Sequence, residues 1–198
     1  METQRTGTTI KKTRRMTIIG MLGAISVVLG FTPIGFIPLG VANVTTMHIP
    51  VIIGAIMEGP FVGAMVGLIF GISSMMKSFM TPTPISFIFL NPLVSVVPRI
   101  LIGILTYYFF AIAKKLLKNE KTVLLLSGAF GTLVNTVFVL GSAYALYAQK
   151  MVEALGLPDG GAFAFVMGIA TTNGIPEMIV AALITVASVT ALKKIIKN

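Results

Sequence analysis

The sequence predicts an all-α integral membrane protein with six transmembrane helices and both termini cytoplasmic. Three observations predict it. Only 11% of the 198 residues are charged and 56% are hydrophobic, with a mean hydropathy of +0.97, whereas a soluble domain carries about 25% charged residues. The apolar residues form long continuous runs rather than alternating, so they fit membrane helices of roughly 20 residues and exclude a membrane barrel. The basic residues gather between alternate runs, as they do in short cytoplasmic loops. This composition excludes an ordinary soluble enzyme and a disordered chain. The absence of cysteine excludes a disulfide scaffold, a thiolate metal site and a cysteine nucleophile.

A basic cytoplasmic segment, residues 1–15, precedes a single six-helix transmembrane domain, residues 16–198. The first helix covers about residues 16–31, and no small-x-small cleavage site follows it, so it reads as an uncleaved span. The second covers about residues 45–57 and ends at the breaker Glu58-Gly59-Pro60, which leaves it short for a crossing. The third to sixth cover about residues 60–78, 87–113, 122–148 and 163–192. With the N-terminus inside, the cytoplasmic side holds Arg5, Lys11, Lys12, Arg14 and Arg15, then Lys114, Lys115, Lys118 and Lys121, then Lys193, Lys194 and Lys197. These are 12 of the 15 basic residues, against Lys77 and Lys150 outside. The net charge of +9 is therefore explained by topology rather than by nucleic-acid binding.

Gly59, Gly63, Gly67 and Gly71 stand at four-residue intervals along the third helix. Lipid supplies little hydrophobic force between helices, so such a smooth ridge stabilises a close contact by dispersion. Its partner is either a neighbouring helix of the same chain or another subunit. Gly20 and Ala24 repeat the spacing on the first helix. Residues 32–44 form a long uncharged loop with Pro33, Gly35, Pro38 and Gly40. It reads as a connector or a lid against the protein, with Phe36, Lys77 and Tyr144 as candidate lid or vestibule residues.

Ionisable groups at membrane depth cost several kcal/mol and by default mark a ligand or a pathway. Arg99, Asn135 and Glu177 lie near the middle of three different helices. Asn91, Ser95 and Arg99 follow helical four-residue spacing, as do Asn173 and Glu177. Pro92, Pro98 and Pro176 interrupt the same helices and release backbone groups that only protein or a cavity can satisfy. The expectation is a substrate-binding pocket of Asn91, Ser95, Arg99, Asn135, Asn173 and Glu177. The alternative is an Arg99–Glu177 ion pair that fixes helix packing.

His48 is the single histidine, so no histidine-rich metal centre is expected and its reading is a buried hydrogen bond. No metal, cofactor or catalytic residue is expected. An intramembrane hydrolase would need a nucleophile and a base meeting in the core, and Glu177 has no such companion. No phosphate-binding G-x-x-x-x-G-K-[ST] occurs, so energy for transport must come from a partner.

The chain resembles the substrate-binding S component of energy-coupling factor (ECF) vitamin transporters over nearly its whole length. The residues that carry the resemblance are the small pair Gly20 and Ala24, His48-Ile49-Pro50-Val51-Ile52-Ile53-Gly54-Ala55 leading to Gly59-Pro60-x-x-Gly63, and Asn91-Pro92-Leu93-Val94-Ser95-Val96-Val97-Pro98-Arg99-Ile100. The resemblance implies that a vitamin binds near the outer leaflet between helices four, five and six. It also implies that Gly20 and Ala24 dock on a transmembrane scaffold subunit carrying two cytoplasmic ATPases, in a prokaryotic cell membrane. These proteins usually carry A-x-x-x-A where this chain has Gly20 and Ala24.

With no tryptophan and 9% aromatic residues, few side chains are available to cage a large flat ring. A desolvated guanidinium at Arg99 favours a carboxylate or phosphate. Pantothenate, a small flexible acid, meets both conditions. Riboflavin, a pyridoxine or pyrimidine precursor, nicotinate and folate stay open at this stage, as do a membrane enzyme and an assembly protein.

Overall fold

The computed structural model describes residues 2–39 and 42–197, with side chains for residues 12–35 and 45–195. The body is helical: α1 Glu2–Phe31, α2 Ile49–Glu58, α3 Pro60–Met80, α4 Ser86–Phe89, α5 Pro92–Ser95, α6 Val97–Leu116, α7 Glu120–Leu155, α8 Gly161–Thr172 and α9 Gly174–Lys197. Between α1 and α2 a 3-10 turn, Pro33–Gly35, leads into an antiparallel hairpin of β1 Phe36–Leu39 and β2 Ala42–Thr45, with Phe36 opposite Thr45. The sequence by itself reads here as a loop or lid. Its four-residue strands are too short for hydropathy to register.

Among the described residues, five stretches are long and apolar enough to cross a membrane: Lys12–Phe31, Pro60–Met80, Pro92–Leu116, Glu120–Leu155 and Gly161–Ile195. α2 has only 10 residues, about 15 Å at 1.5 Å per residue. It is hydrophobic all round because it is central: every residue from Ile49 to Ile56 is buried. Around it pack Val62 and Val66 of α3, Ile102 of α6, Leu124 of α7 and Val189 of α9. A second cluster joins Ile88, Val94, Val139, Met151 and Val166 at the far end of α7.

Three boundaries differ from the sequence expectation. The fourth run is not one helix but α4, α5 and α6. Pro92 and Pro98 each sit in a first turn, where a missing N–H costs nothing, so they start helices rather than kink one. The sixth run divides at Asn173 into α8 and α9, with Pro176 again in a first turn. α7 also runs on to Gly156, whose φ of +62° ends it in the left-handed region. At 36 residues it is about 54 Å long and overreaches a hydrocarbon core of about 30 Å.

The glycine ridge faces α6. A Cβ on Gly63 would lie 3.0 Å from Gly103 Cα, one on Gly67 2.1 Å from the Arg99 carbonyl oxygen, and one on Gly71 2.7 Å from Val96 Cα. These three let two backbones touch, which is how helices gain contact in lipid. Gly59 differs: its Cβ would meet nothing, but its φ of +99° makes the corner between α2 and α3.

Candidate ligand site

The break between α5 and α6 places Arg99 in the first turn of α6, 6% exposed. Its Nη1 donates to the Val94 carbonyl at 2.5 Å, an acceptor at the end of α5. The guanidinium carbon stands 5.4 Å from the Phe70 ring centre and 5.9 Å from that of Phe89, so two aromatic faces hold the charge. Nε is buried without a partner. Among the described residues the guanidinium has one carbonyl acceptor and no carboxylate, whereas buried charge is otherwise paired.

The ion pair with Glu177 left open by the sequence is not formed. Glu177, itself 7% exposed, turns to the β2 end of the hairpin. Its Oε1 accepts from Thr45 N at 2.8 Å and from Thr45 Oγ1 at 2.7 Å. Two donors on one carboxylate oxygen hold the hairpin to α9.

A second group of buried polar atoms lies where α2, α6 and α7 meet. His48, fully buried, places Nε2 2.9 Å from Thr132 Oγ1. Thr132 Oγ1 also reaches the Gly128 carbonyl, 3.2 Å away. His48 Nδ1 has no partner, nor do Thr106 Oγ1 and Asn135 Oδ1. Thr106 stands against Gly131, whose Cβ would come within 2.8 Å of its hydroxyl. An unsatisfied buried polar atom costs about 1–3 kcal/mol, and several in one region point to something that binds there.

The other predicted residues divide by what they touch. Asn91 caps α5, accepting from Leu93 N at 2.9 Å, and its Nδ2 donates to Tyr147 Oη of α7 at 2.9 Å. Ser95 Oγ donates to the Phe89 carbonyl across the α4–α5 break. Both therefore shape the break that presents Arg99. Asn173 marks the α8–α9 junction, its carbonyl accepting from Glu177 N at 3.0 Å. Lys77 Nζ donates to the Gly30 carbonyl at 2.7 Å, a cation on the last turn of α1. Tyr144 is exposed and packs edge-on against Phe163 of α8, with ring centres 5.9 Å apart. The side chain of Phe36 lies outside the described residues. Gly20 and Ala24 are both exposed on α1.

Sequence reasoning passed over Thr45, Phe70, Thr106 and Thr132, whereas Phe89 is among the few aromatic side chains it offers for stacking on a ligand. Two of them carried a readable signal. Thr132 precedes Asn135 by three residues and Thr106 follows Arg99 by seven, each a same-face helical spacing.

In a helical membrane protein a buried ionisable group such as Arg99 by default marks a ligand or a pathway. Residues 14–189 match the family described as "ECF transporter, substrate-specific component", and the chain belongs to that family. It is 33% identical over 169 residues to the Pantothenic acid transporter PanT of Lactococcus lactis subsp. cremoris (strain MG1363), covering 78% of this chain and 80% of that one. It is 30% identical over 165 residues to the Pantothenate transporter PanT of Leuconostoc mesenteroides subsp. mesenteroides, covering 80% of this chain and 79% of that one. The protein is thus a membrane-embedded transport component rather than an enzyme.

Proposed function

We propose that this chain is the pantothenate-binding subunit of an ATP-driven uptake transporter in a prokaryotic cell membrane. The observation that carries the reading is Arg99: a buried guanidinium between Phe70 and Phe89, with an unpartnered N–H, in a chain whose relatives are named pantothenate transporters. The ligand carboxylate takes the open N–H of Arg99 as a charge-assisted hydrogen bond. The amide and hydroxyls of pantothenate, which both donate and accept, suit the remaining orphans His48 Nδ1, Thr106 Oγ1 and Asn135 Oδ1. Asn91, Ser95 and Asn173 position the helix breaks around them, and Glu177 holds the hairpin that leads into α2.

The reading includes six crossings with both termini cytoplasmic. Two contacts support α2 as the sixth crossing. Glu58 at its end pairs with Arg14 of α1 at 2.7 Å, and Met47 before its start packs on Gly30 near the other end of α1. Its ends therefore lie beside the ends of the apolar part of α1. The exposed pair Gly20 and Ala24 docks on the transmembrane scaffold, and the two ATPases supply the energy that no P-loop of this chain can.

The test is equilibrium binding of pantothenate to the purified chain, against a panel of other vitamins. One pantothenate per chain is expected, with Arg99→Lys weakening it at least tenfold, since a point charge reproduces neither the planar stacking nor the fork of N–H donors. A folded chain that ignores pantothenate, or an Arg99→Lys variant that binds it unchanged, would overturn the reading.

A further inference from the structure

We propose that Pro98 is a positioning residue for the Arg99 guanidinium: by withholding one backbone N–H it leaves the Val94 carbonyl to the Arg99 side chain, and so fixes where the open N–H of that side chain points. In a helix each N–H donates to the carbonyl four residues earlier. That pattern holds on both sides of the α5–α6 joint, since Val96 N donates to the Pro92 carbonyl at 2.7 Å and Ile100 N to the Val96 carbonyl at 3.1 Å. Val96, at the joint, keeps right-handed helical angles, φ −100° and ψ −51°. The N–H that would serve the Val94 carbonyl in this pattern belongs to position 98, where proline has none. Val94 is fully buried, so water does not reach it, and Arg99 Nη1 takes the carbonyl at 2.5 Å instead.

Two features make this more than the repair of one orphaned carbonyl. At Pro92 the equivalent acceptor, the Ile88 carbonyl, is taken by Asn91 N at 3.4 Å, so the backbone can close a proline gap without spending a cation. At Pro98 the cation does it. The main chain of Arg99 is meanwhile pinned from the other side, because a Cβ on Gly67 would stand 2.1 Å from the Arg99 carbonyl oxygen and α3 presses directly on this turn. With the main chain fixed, only the aim of the side chain remains to be set. The Val94 bond sets it while the guanidinium lies between Phe70 and Phe89. An arginine side chain has many rotamers, and one already ordered spares a ligand the entropy of ordering it.

Pro98→Ala supplies the missing N–H. A carbonyl has two lone pairs, so Arg99 is made to share its acceptor rather than evicted. Pantothenate affinity, a readout that rests on the pantothenate reading, should then fall about fivefold, the order of one net hydrogen bond, in a protein that melts no lower than the parent. Lactic acid in place of Pro98, introduced by nonsense suppression in cell-free synthesis into nanodiscs, is the analogue of alanine with an ester oxygen where the N–H would be. It frees the chain as alanine does but offers no donor, and should restore the parent affinity. A proline that acts only by stiffening the chain would leave the two variants alike. In chains carrying isotope-labelled arginine and no vitamin, the side-chain nitrogen resonances of Arg99 should shift in Pro98→Ala and return with lactic acid, a readout that stands whether or not the chain takes pantothenate. Should Pro98→Ala fail to fold, Pro98→Ser supplies the same N–H. Unchanged affinity in Pro98→Ala, equal losses in the alanine and lactic acid variants, or Arg99 resonances indifferent to the substitution would overturn the proposal.

Discussion

Replacing Gly67 with alanine puts a Cβ 2.1 Å from the Arg99 carbonyl oxygen and 2.7 Å from its carbon. Both are backbone atoms, so no rotamer change relieves the clash. Reaching ordinary contact at about 3.4 Å requires α3 and the first turn of α6 to part by about 1.3 Å. Overpacking of this kind costs about 1–3 kcal/mol, and the upper half applies because Gly63 and Gly71 hold the same two helices together on either side. At about 2–4 °C per kcal/mol for a chain of this size, thermal unfolding in detergent should fall by about 4–12 °C. The displaced turn carries Arg99, so pantothenate affinity should fall with it. Gly20→Ala is the matched control, since its Cβ meets nothing within 4 Å, and it should leave stability and vitamin binding unchanged. A Gly67→Ala protein that melts within about 1 °C of the parent, or a Gly20→Ala protein that loses as much, would refute the reasoning.

Two further substitutions separate positioning from ligand contact. Asn91→Ala removes a helix cap and the bond to Tyr147 together and should cost about 1–2 kcal/mol. Tyr147→Phe removes only the second and should cost about 1 kcal/mol, both read by thermal unfolding. Loss of vitamin binding in Asn91→Ala without loss of stability would instead make Asn91 a ligand contact. For the hairpin tie, Glu177→Gln and Thr45→Val should each destabilise, by about 1–2 kcal/mol. Their double mutant should fall short of the sum by about 1 kcal/mol. Additive effects would show that the two do not act as a unit.

The membrane class, the glycine ridge and the burial of Arg99 were legible because each follows from a local property of the chain. Apolar run length, four-residue spacing and a charge inside an uncharged run need no tertiary information. The prolines were legible too, but their effect was not. Read as interruptions of one helix, Pro92 and Pro98 put Asn91, Ser95 and Arg99 on one stripe. In the structure they start separate helices, so Asn91 and Ser95 spend their side chains on Tyr147 and Phe89. Proline permits either outcome, and the packing of α4 against α3 and of α5 against α3 and α7 chooses between them.

What the sequence by itself determined is where polar groups had to be buried. Hydropathy places them in the membrane, and burial then obliges each to find a partner or a ligand. Which partner each found was decided only by the tertiary structure. Glu177 reaches Thr45, 132 residues away, rather than Arg99. Arg99 meets Phe70 and Phe89, and Thr132, never singled out, takes His48. The physical reason is range: helix formation and membrane insertion respond to neighbours within a few turns, whereas hydrogen bonds act over about 3 Å between residues that only the packing of distant helices brings together.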